Sequence, residues 1–270
     1  MPRACPACLA ENTATVAEAL ASGSFYRCGR CGLQYVEPVP TGVPVFLDFT
    51  DAGRIILSQI ERGEPMGELL TPNERAMLRW LQRHLPEGAP VLELCCESGR
   101  FLAALRHAGF TPLGMDPLPR PIGMLEERGF LVHTGSVEDY PKDWPEPAAV
   151  VLLESLVRFP FPVTVLRGIR ERFPRACLSL SVPSPRRSLK VPDFDRRVDY
   201  PPHHLTRWTP RAVVSALRNA GYRGTCRIVP IRLHWMRGAW MLRILKVLFA
   251  VYLRLTREAD YSLLGYGTPA

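Results

Sequence analysis

From residue 90 to residue 183 short apolar runs alternate with amphipathic stretches, and this alternation restricts the fold more than any other feature. The runs are PVLELC (90–95), TPLGMD (111–116), FLVHTG (130–135), AAVVLLES (148–155) and ACLSLSVP (176–183). Helical periodicity fills 98–108, 119–128 and 163–172 between them. Strands joined through helices need crossover connections, so they lie parallel, and a parallel sheet carries helices on both faces. AAVVLLES is apolar along most of its length, as a strand covered on both sides must be. Upstream, TPNERAMLRWLQRHLP (71–86) reads as a helix, with Thr71 as cap, Pro72 in the first turn and Glu74 as the acid that reaches back. Downstream, TPRAVVSALRNAGY (209–222) is a further amphipathic helix ended by Gly221, and TCRIVPIRL (225–233) is the expected last strand. At 47% hydrophobic, the 270 residues can bury a core of this size.

The N-terminal forty residues follow a different logic. Cys5 and Cys8, then Cys28 and Cys31, form two C-x-x-C pairs, with Gly29 and Gly32 permitting tight turns. Each turn sets two thiolates on one side of a metal, and two turns close a tetrahedron around zinc. Four protein ligands leave no open coordination position, so such a zinc is structural, and it supplies folding energy that a module this small lacks. Residues 1–40 are therefore expected to be a zinc ribbon, 41–70 a linker, 71–237 the α/β domain, and 238–270 a basic amphipathic helix with a tail. Within the α/β domain, the Pro- and Arg-rich stretch 184–207 is too long for a plain connection and reads as a lid. The N-terminus MPRACPACLAEN has no long apolar stretch, which leads to the expectation of a cytoplasmic chain.

Charge is uneven. Residues 175–270 hold 17 Lys/Arg against 5 Asp/Glu, whereas residues 1–174 hold 17 against 21. A basic third favours an acidic partner, although 27 prolines and only three lysines (Lys142, Lys190, Lys246) match a GC-rich coding bias equally well. Nucleic acid is disfavoured, because aromatic platforms are sparse among these basic residues outside the last helix. In GAWMLRILKVLFAVYLRLTR (238–257), Arg243, Lys246, Arg254 and Arg257 fall within one sector of about 80°. The charges argue against a membrane span and leave two readings open. One is peripheral contact with an anionic membrane; the other is packing on the domain or on a second copy of the chain, a homo-oligomer.

The turn after the first strand, VLELCCESGR (91–100), is where an α/β sheet seats a nucleotide-bearing ligand. The helix N-terminus favours anions, and an acid ending the next strand, here Asp116, reaches ribose hydroxyls. VLELCCESGRFLAALRHAGFTPLGMDP, RGFLVHTGSVEDYP and PHHLTRWTPRAVVSALRNAGY, behind CGLQYVEPVP, resemble the class I S-adenosylmethionine-dependent methyltransferases, in particular the bacterial subgroup with a four-cysteine zinc ribbon. The resemblance implies a Rossmann-like seven-stranded, mostly parallel sheet with helices on both faces and the last strand antiparallel. It implies S-adenosylmethionine as cofactor and a small-molecule or lipid-linked acceptor. Position by position, it has Glu93 orient the loop or touch the amino-acid end of the cofactor, and places Cys95, Glu97 and Gly99 at the three glycine positions of the loop. Asp116 falls at the ribose, Ser136 and Val137 at the adenine, and Leu153 and Glu154 at the methionine moiety.

Cys95 and Glu97 depart from the glycines of that pattern, and Val157-Arg158 stands where a Glu-His pair often follows the fourth strand. A side chain narrows the gap that the backbone leaves for a ligand, and a positive φ costs a non-glycine residue about 1–2 kcal/mol. Cys95-Cys96 reads as a pair of small apolar residues. His203 and His204 are the candidate bases, or else structural elements of the lid. Two functional readings follow: a methyltransferase, or a catalytically degenerate member that binds without catalysing.

Overall fold

The computed structural model describes residues 2–184, 199–230 and 260–270. The order opens with strands β1 (Ala14–Leu20), β2 (Gly23–Cys28) and β3 (Gln34–Glu37), then helices α1 (Thr50–Glu61), α2 (Met66–Leu69) and α3 (Pro72–His84). The alternation follows: β4 (Pro90–Leu94), α4 (Arg100–His107), β5 (Thr111–Asp116), α5 (Pro119–Glu126), β6 (Leu131–Thr134), β7 (Ala149–Leu153), α6 (Pro162–Arg172) and β8 (Cys177–Pro183). The described chain closes with β9 (Thr206–Arg207), α7 (Pro210–Asn219), β10 (Tyr222–Pro230) and β11 (Asp260–Pro269). The capping box at the start of α3 forms: Thr71 N–H donates to Glu74 at 2.6 Å and Glu74 N–H to the Thr71 hydroxyl at 3.4 Å.

Seven strands form one sheet in the order β10-β11-β8-β7-β4-β5-β6. β4 to β8 pair in parallel, and β11 runs antiparallel between β8 and β10. This is the Rossmann-like sheet expected, with its last strand reversed. Strand alternation divides the core. Leu92, Leu94, Val150 and Leu152 face one way, toward α6 and α7. Val91, Ala149 and Val151 face the other way, toward α3, α4 and α5.

Three boundaries differ from expectation. The last strand is β11, which lies in the stretch expected to be a tail; TCRIVPIRL instead contributes to the edge strand β10. In β11 two glycines and a closing proline mask the strand signal, and pairing on both sides holds it in the sheet. Residues 41–70 are not a bare linker, because α1 packs against α4 and α5. Nor is the ribbon a separate bead. Strands β1, β2 and β3 form a second sheet whose fourth strand is β9 from the far end of the chain. Cys5, Cys28, Cys31, Leu33 and Tyr35 share a core with Trp208 and Ala212. Residues 185–198 of the expected lid and the helix expected at 238–257 lie outside the described residues. No helix among the described residues is long and apolar enough to cross a membrane.

Candidate functional site

The loop between β4 and α4 takes left-handed φ at Cys95 (59°), Glu97 (43°) and Gly99 (70°). The backbone thus holds the conformation of a glycine-rich turn at all three positions, two of which carry side chains. Strain of this kind is concentrated where a site over-determines the backbone. Gly99 is needed for packing as well: a Cβ there would lie 2.1 Å from Leu125 Cδ2. Across the loop, α1 comes so close at Gly53 that a Cβ would meet the Ser98 carbonyl oxygen at 2.8 Å. At the end of β5, Asp116 is buried, and it ties the two strand ends together. Its Oδ2 accepts the Glu97 N–H at 3.0 Å and its Oδ1 the Leu118 N–H at 2.9 Å. Burial raises its carboxyl above the usual range, and those two N–H groups oppose the shift.

A cavity of about 450 Å³ opens over this loop, within the range of about 300–1,000 Å³ common for small-molecule sites. Of the residues expected from sequence, Glu93, Cys95, Glu97, Leu153, Glu154, His203 and His204 line it. Gly99, Asp116, Ser136 and Val137 do not. Ser136 is exposed at the start of a 3-10 turn, Val137–Asp139, and Val137 is packed in the core. The remaining walls come from the stretch expected to be a linker (Leu47, Phe49, Ala52, Ile56), from α3 (Asn73, Glu74), and from Arg100 and Arg158.

The electrostatics are acidic at the floor. Glu93 is buried, and its Oε2 has no hydrogen-bond partner among the described residues. Burial first, then the charges of Glu74 and Glu97, push its carboxyl well above the usual range. Glu74 accepts Arg100 Nε at 2.9 Å. Glu97 accepts Arg158 Nη2 at 3.1 Å, and Arg158 Nη1 donates to the Val45 carbonyl at 3.3 Å. Burial pushes Glu97 up to about 7, with Arg158 pulling the other way. Glu154, left-handed at 53°, accepts Asn73 Nδ2 at 3.3 Å and the Ser262 hydroxyl. At the rim, His204 Nδ1 lies 3.0 Å from Asp199 Oδ1, and His203 Nδ1 is buried without a partner among the described residues.

The sequence from 70 to 226, more than half of the chain, matches the family model described as a methyltransferase domain. The chain belongs to that family. The Haloferax volcanii protein solved in complex with the Trm112 methyltransferase activator is 18% identical. The match covers 82% of this chain and 96% of that one, with a TM-score of 0.54. The Burkholderia thailandensis 1,6-didemethyltoxoflavin-N1-methyltransferase, solved with bound 1,6-didemethyltoxoflavin and S-adenosylhomocysteine, is 15% identical. That match covers 88% and 96% of the two chains, with a TM-score of 0.51. A SAM-dependent methyltransferase from Thermotoga maritima is 14% identical over 82% of this chain and 100% of that one, with a TM-score of 0.51. At these identities the likeness is one of fold. No curated protein is matched.

In this methyltransferase chain the four N-terminal cysteines converge as their spacing predicts. Their sulfurs all lie within 4.8 Å of one another, with Cys5–Cys31 at 3.6 Å and Cys8–Cys28 at 3.5 Å. Sulfurs 2.3 Å from a common tetrahedral centre would be about 3.8 Å apart, so the set fits zinc. The cavity residues that sequence reasoning missed are Arg158, Asn73, Arg100 and the α1 wall, together with Asp199 as the partner of His204. In the sequence Arg158 is visible only as a departure from the family pattern; its opposite charge to Glu97, a second departure, is the available signal.

Proposed function

We propose that the chain binds S-adenosylmethionine in the cavity over the β4–α4 loop and transfers its methyl group to an oxygen, nitrogen or carbon nucleophile. The observation that carries this reading is the unpartnered Glu93 Oε2, buried at the floor of a cavity whose turn keeps glycine-loop geometry. A buried carboxyl oxygen without a donor is costly, and burial holds this one toward its protonated form, which a cationic partner would reverse. An ammonium group, as on the amino-acid end of this cofactor, would satisfy it. Asp116 would take the ribose hydroxyls through oxygens that already hold the loop, and Leu153 and Glu154 would flank the methionine moiety. Ser136 and Val137 remain the adenine-side candidates. When bound, the cofactor supplies an electrophilic methyl group on a sulfonium.

The residues of the chain position the acceptor and manage its proton. Asp199 facing His204 Nδ1 favours the tautomer with the proton on Nδ1, which makes Nε2 the basic nitrogen. His204 is thus the proposed general base, with His203 beside it. The walls contributed by Leu47, Phe49 and Ile56 are apolar and exclude water from the acceptor side. Cys5, Cys8, Cys28 and Cys31 hold one structural zinc in this proposal. The acceptor is a small molecule or a lipid-linked one.

One observation favours the second reading, a binding or scaffold member. The Glu97–Arg158 pair sits inside the cavity, with Glu97 at a position where the family pattern implies glycine. Calorimetric titration with S-adenosylmethionine and S-adenosylhomocysteine separates the two. Binding of both, weakened at least about tenfold by Glu93→Gln, is the expected result. Silence of the wild-type chain toward both ligands would transfer the weight to the scaffold.

A further inference from the structure

Away from this cavity, a second hollow of about 350 Å³ lies between α3 and β10. Helix α3 lends it Arg75, Arg79 and Arg83, spaced four apart and so aligned along one helix face. Arg227 reaches it from the edge strand β10. Arg75 donates to the carbonyls of Gly67 and Leu70. Arg79, Arg83 and Arg227 are exposed, and their side chains make no ion pair or hydrogen bond among the described residues. No Asp or Glu is among the residues lining the hollow. Like charges at this spacing oppose helix formation, and no acidic residue among the described lining relieves it.

The wall between them is aromatic and apolar. Tyr266 of β11 lines the hollow with its ring stacked on Trp80 at 4.7 Å, and Leu264 lies beside it. Burial pushes the Tyr266 phenol up to about 12, while the charges of Arg227, Arg79 and Arg83 pull it down. Three guanidiniums from two elements therefore act on one hydroxyl, which stays protonated and able to donate. Guanidinium forks match the oxygens of phosphate in pairs, which lone ammonium groups do not.

We propose that this hollow binds a phosphate-bearing ligand, with Arg79, Arg83 and Arg227 holding the oxyanion and the Tyr266 hydroxyl beside them. The site is independent of the methyl-transfer cavity, to which α3 contributes the different residues Asn73 and Glu74.

The test uses the full chain at low ionic strength in two arms. Calorimetry with inorganic pyrophosphate reads a soluble ligand. Co-sedimentation with phosphatidylglycerol vesicles, against phosphatidylcholine controls, reads a lipid headgroup. Each is repeated on Arg79→Gln, Arg83→Gln and Arg227→Gln. Glutamine keeps helix propensity, and thermal unfolding checks that each variant folds. Binding in either arm that falls at least about tenfold per substitution supports the proposal, and the responding arm identifies the source of the phosphate. Binding in neither arm overturns it. So does binding that folded variants leave unchanged, which would mark the arginines as a solvated face.

Discussion

Restoring glycine at position 97 should weaken this protein, not improve it. Glu97→Gly removes a left-handed φ of 43° from a residue with a side chain, a relief of about 1 kcal/mol. It also strips the ion-pair partner from Arg158, whose side chain is only 7% exposed, and leaves it the Val45 carbonyl. Breaking a buried ion pair costs about 3–5 kcal/mol. Because Glu97 itself is 27% exposed, the lower end applies, and the net expectation is a loss of about 2 kcal/mol. In an Arg158→Met background only the strain remains, so the same Glu97→Gly change should gain about 1 kcal/mol. Urea unfolding of the four proteins gives this cycle directly, with a coupling of about 3 kcal/mol. Titration adds a second reading. Burial raises Glu97 to about 7, against an ordinary value of 4.5, so between those values the folded chain binds more protons than the unfolded one. The Glu97 contribution to stability therefore falls as pH rises from about 4.5 to about 7 and then levels off. Glu97→Gln should remove that slope. A Glu97→Gly protein as stable as wild type, with Arg158 intact, would refute the pairing and its compensation for the lost glycine.

Metal analysis of the purified chain should find about one zinc, and Cys28→Ser should lose it together with a large part of the thermal stability; a folded, metal-free ribbon would contradict this. Gly99→Ala places a methyl group 2.1 Å from Leu125 Cδ2 at a φ of 70°, so a loss of at least about 2 kcal/mol is expected in denaturant unfolding. Asp116→Ala frees two backbone N–H groups. It should cost about 1–3 kcal/mol and abolish measurable S-adenosylhomocysteine binding, whereas unaltered affinity would remove Asp116 from the site.

What the sequence makes legible is what depends on local period and spacing. The strands of the parallel sheet stand out because burial on both faces leaves Val91, Leu92, Val150, Val151 and Leu152 no polar alternative. The metal cluster stands out because two C-x-x-C turns are a local pattern. The missed features join residues far apart in the chain. Arg158 meets Glu97 across 61 positions, and Asn73 meets Glu154 across 81, where periodicity carries no information. Helix α1 was obscured because its burial depends on Gly53 resting on the loop at Ser98, a contact made only in the folded chain.

The ribbon and the candidate base belong to one mechanical unit. Strand β9 starts two residues after His204, and it pairs with β3 through Gln34↔Arg207 and Tyr35↔Thr206. Val36 N–H donates to the Leu205 carbonyl at 3.0 Å, and the Thr209 hydroxyl donates to the Cys31 carbonyl at 2.6 Å. On the other side, Leu205 N–H donates to the Val157 carbonyl at 2.8 Å, one residue before Arg158. The two-histidine turn is therefore held between the cysteine module and the segment that carries the cavity's buried arginine. β3 is a four-residue strand that starts three residues after Cys31, so the strand that holds β9 adjoins the cysteine cluster. On this geometry the N-terminal module is tied to the cavity indirectly: it pairs with the strand that follows the His204–Asp199 pair, while its own residues stay out of the lining.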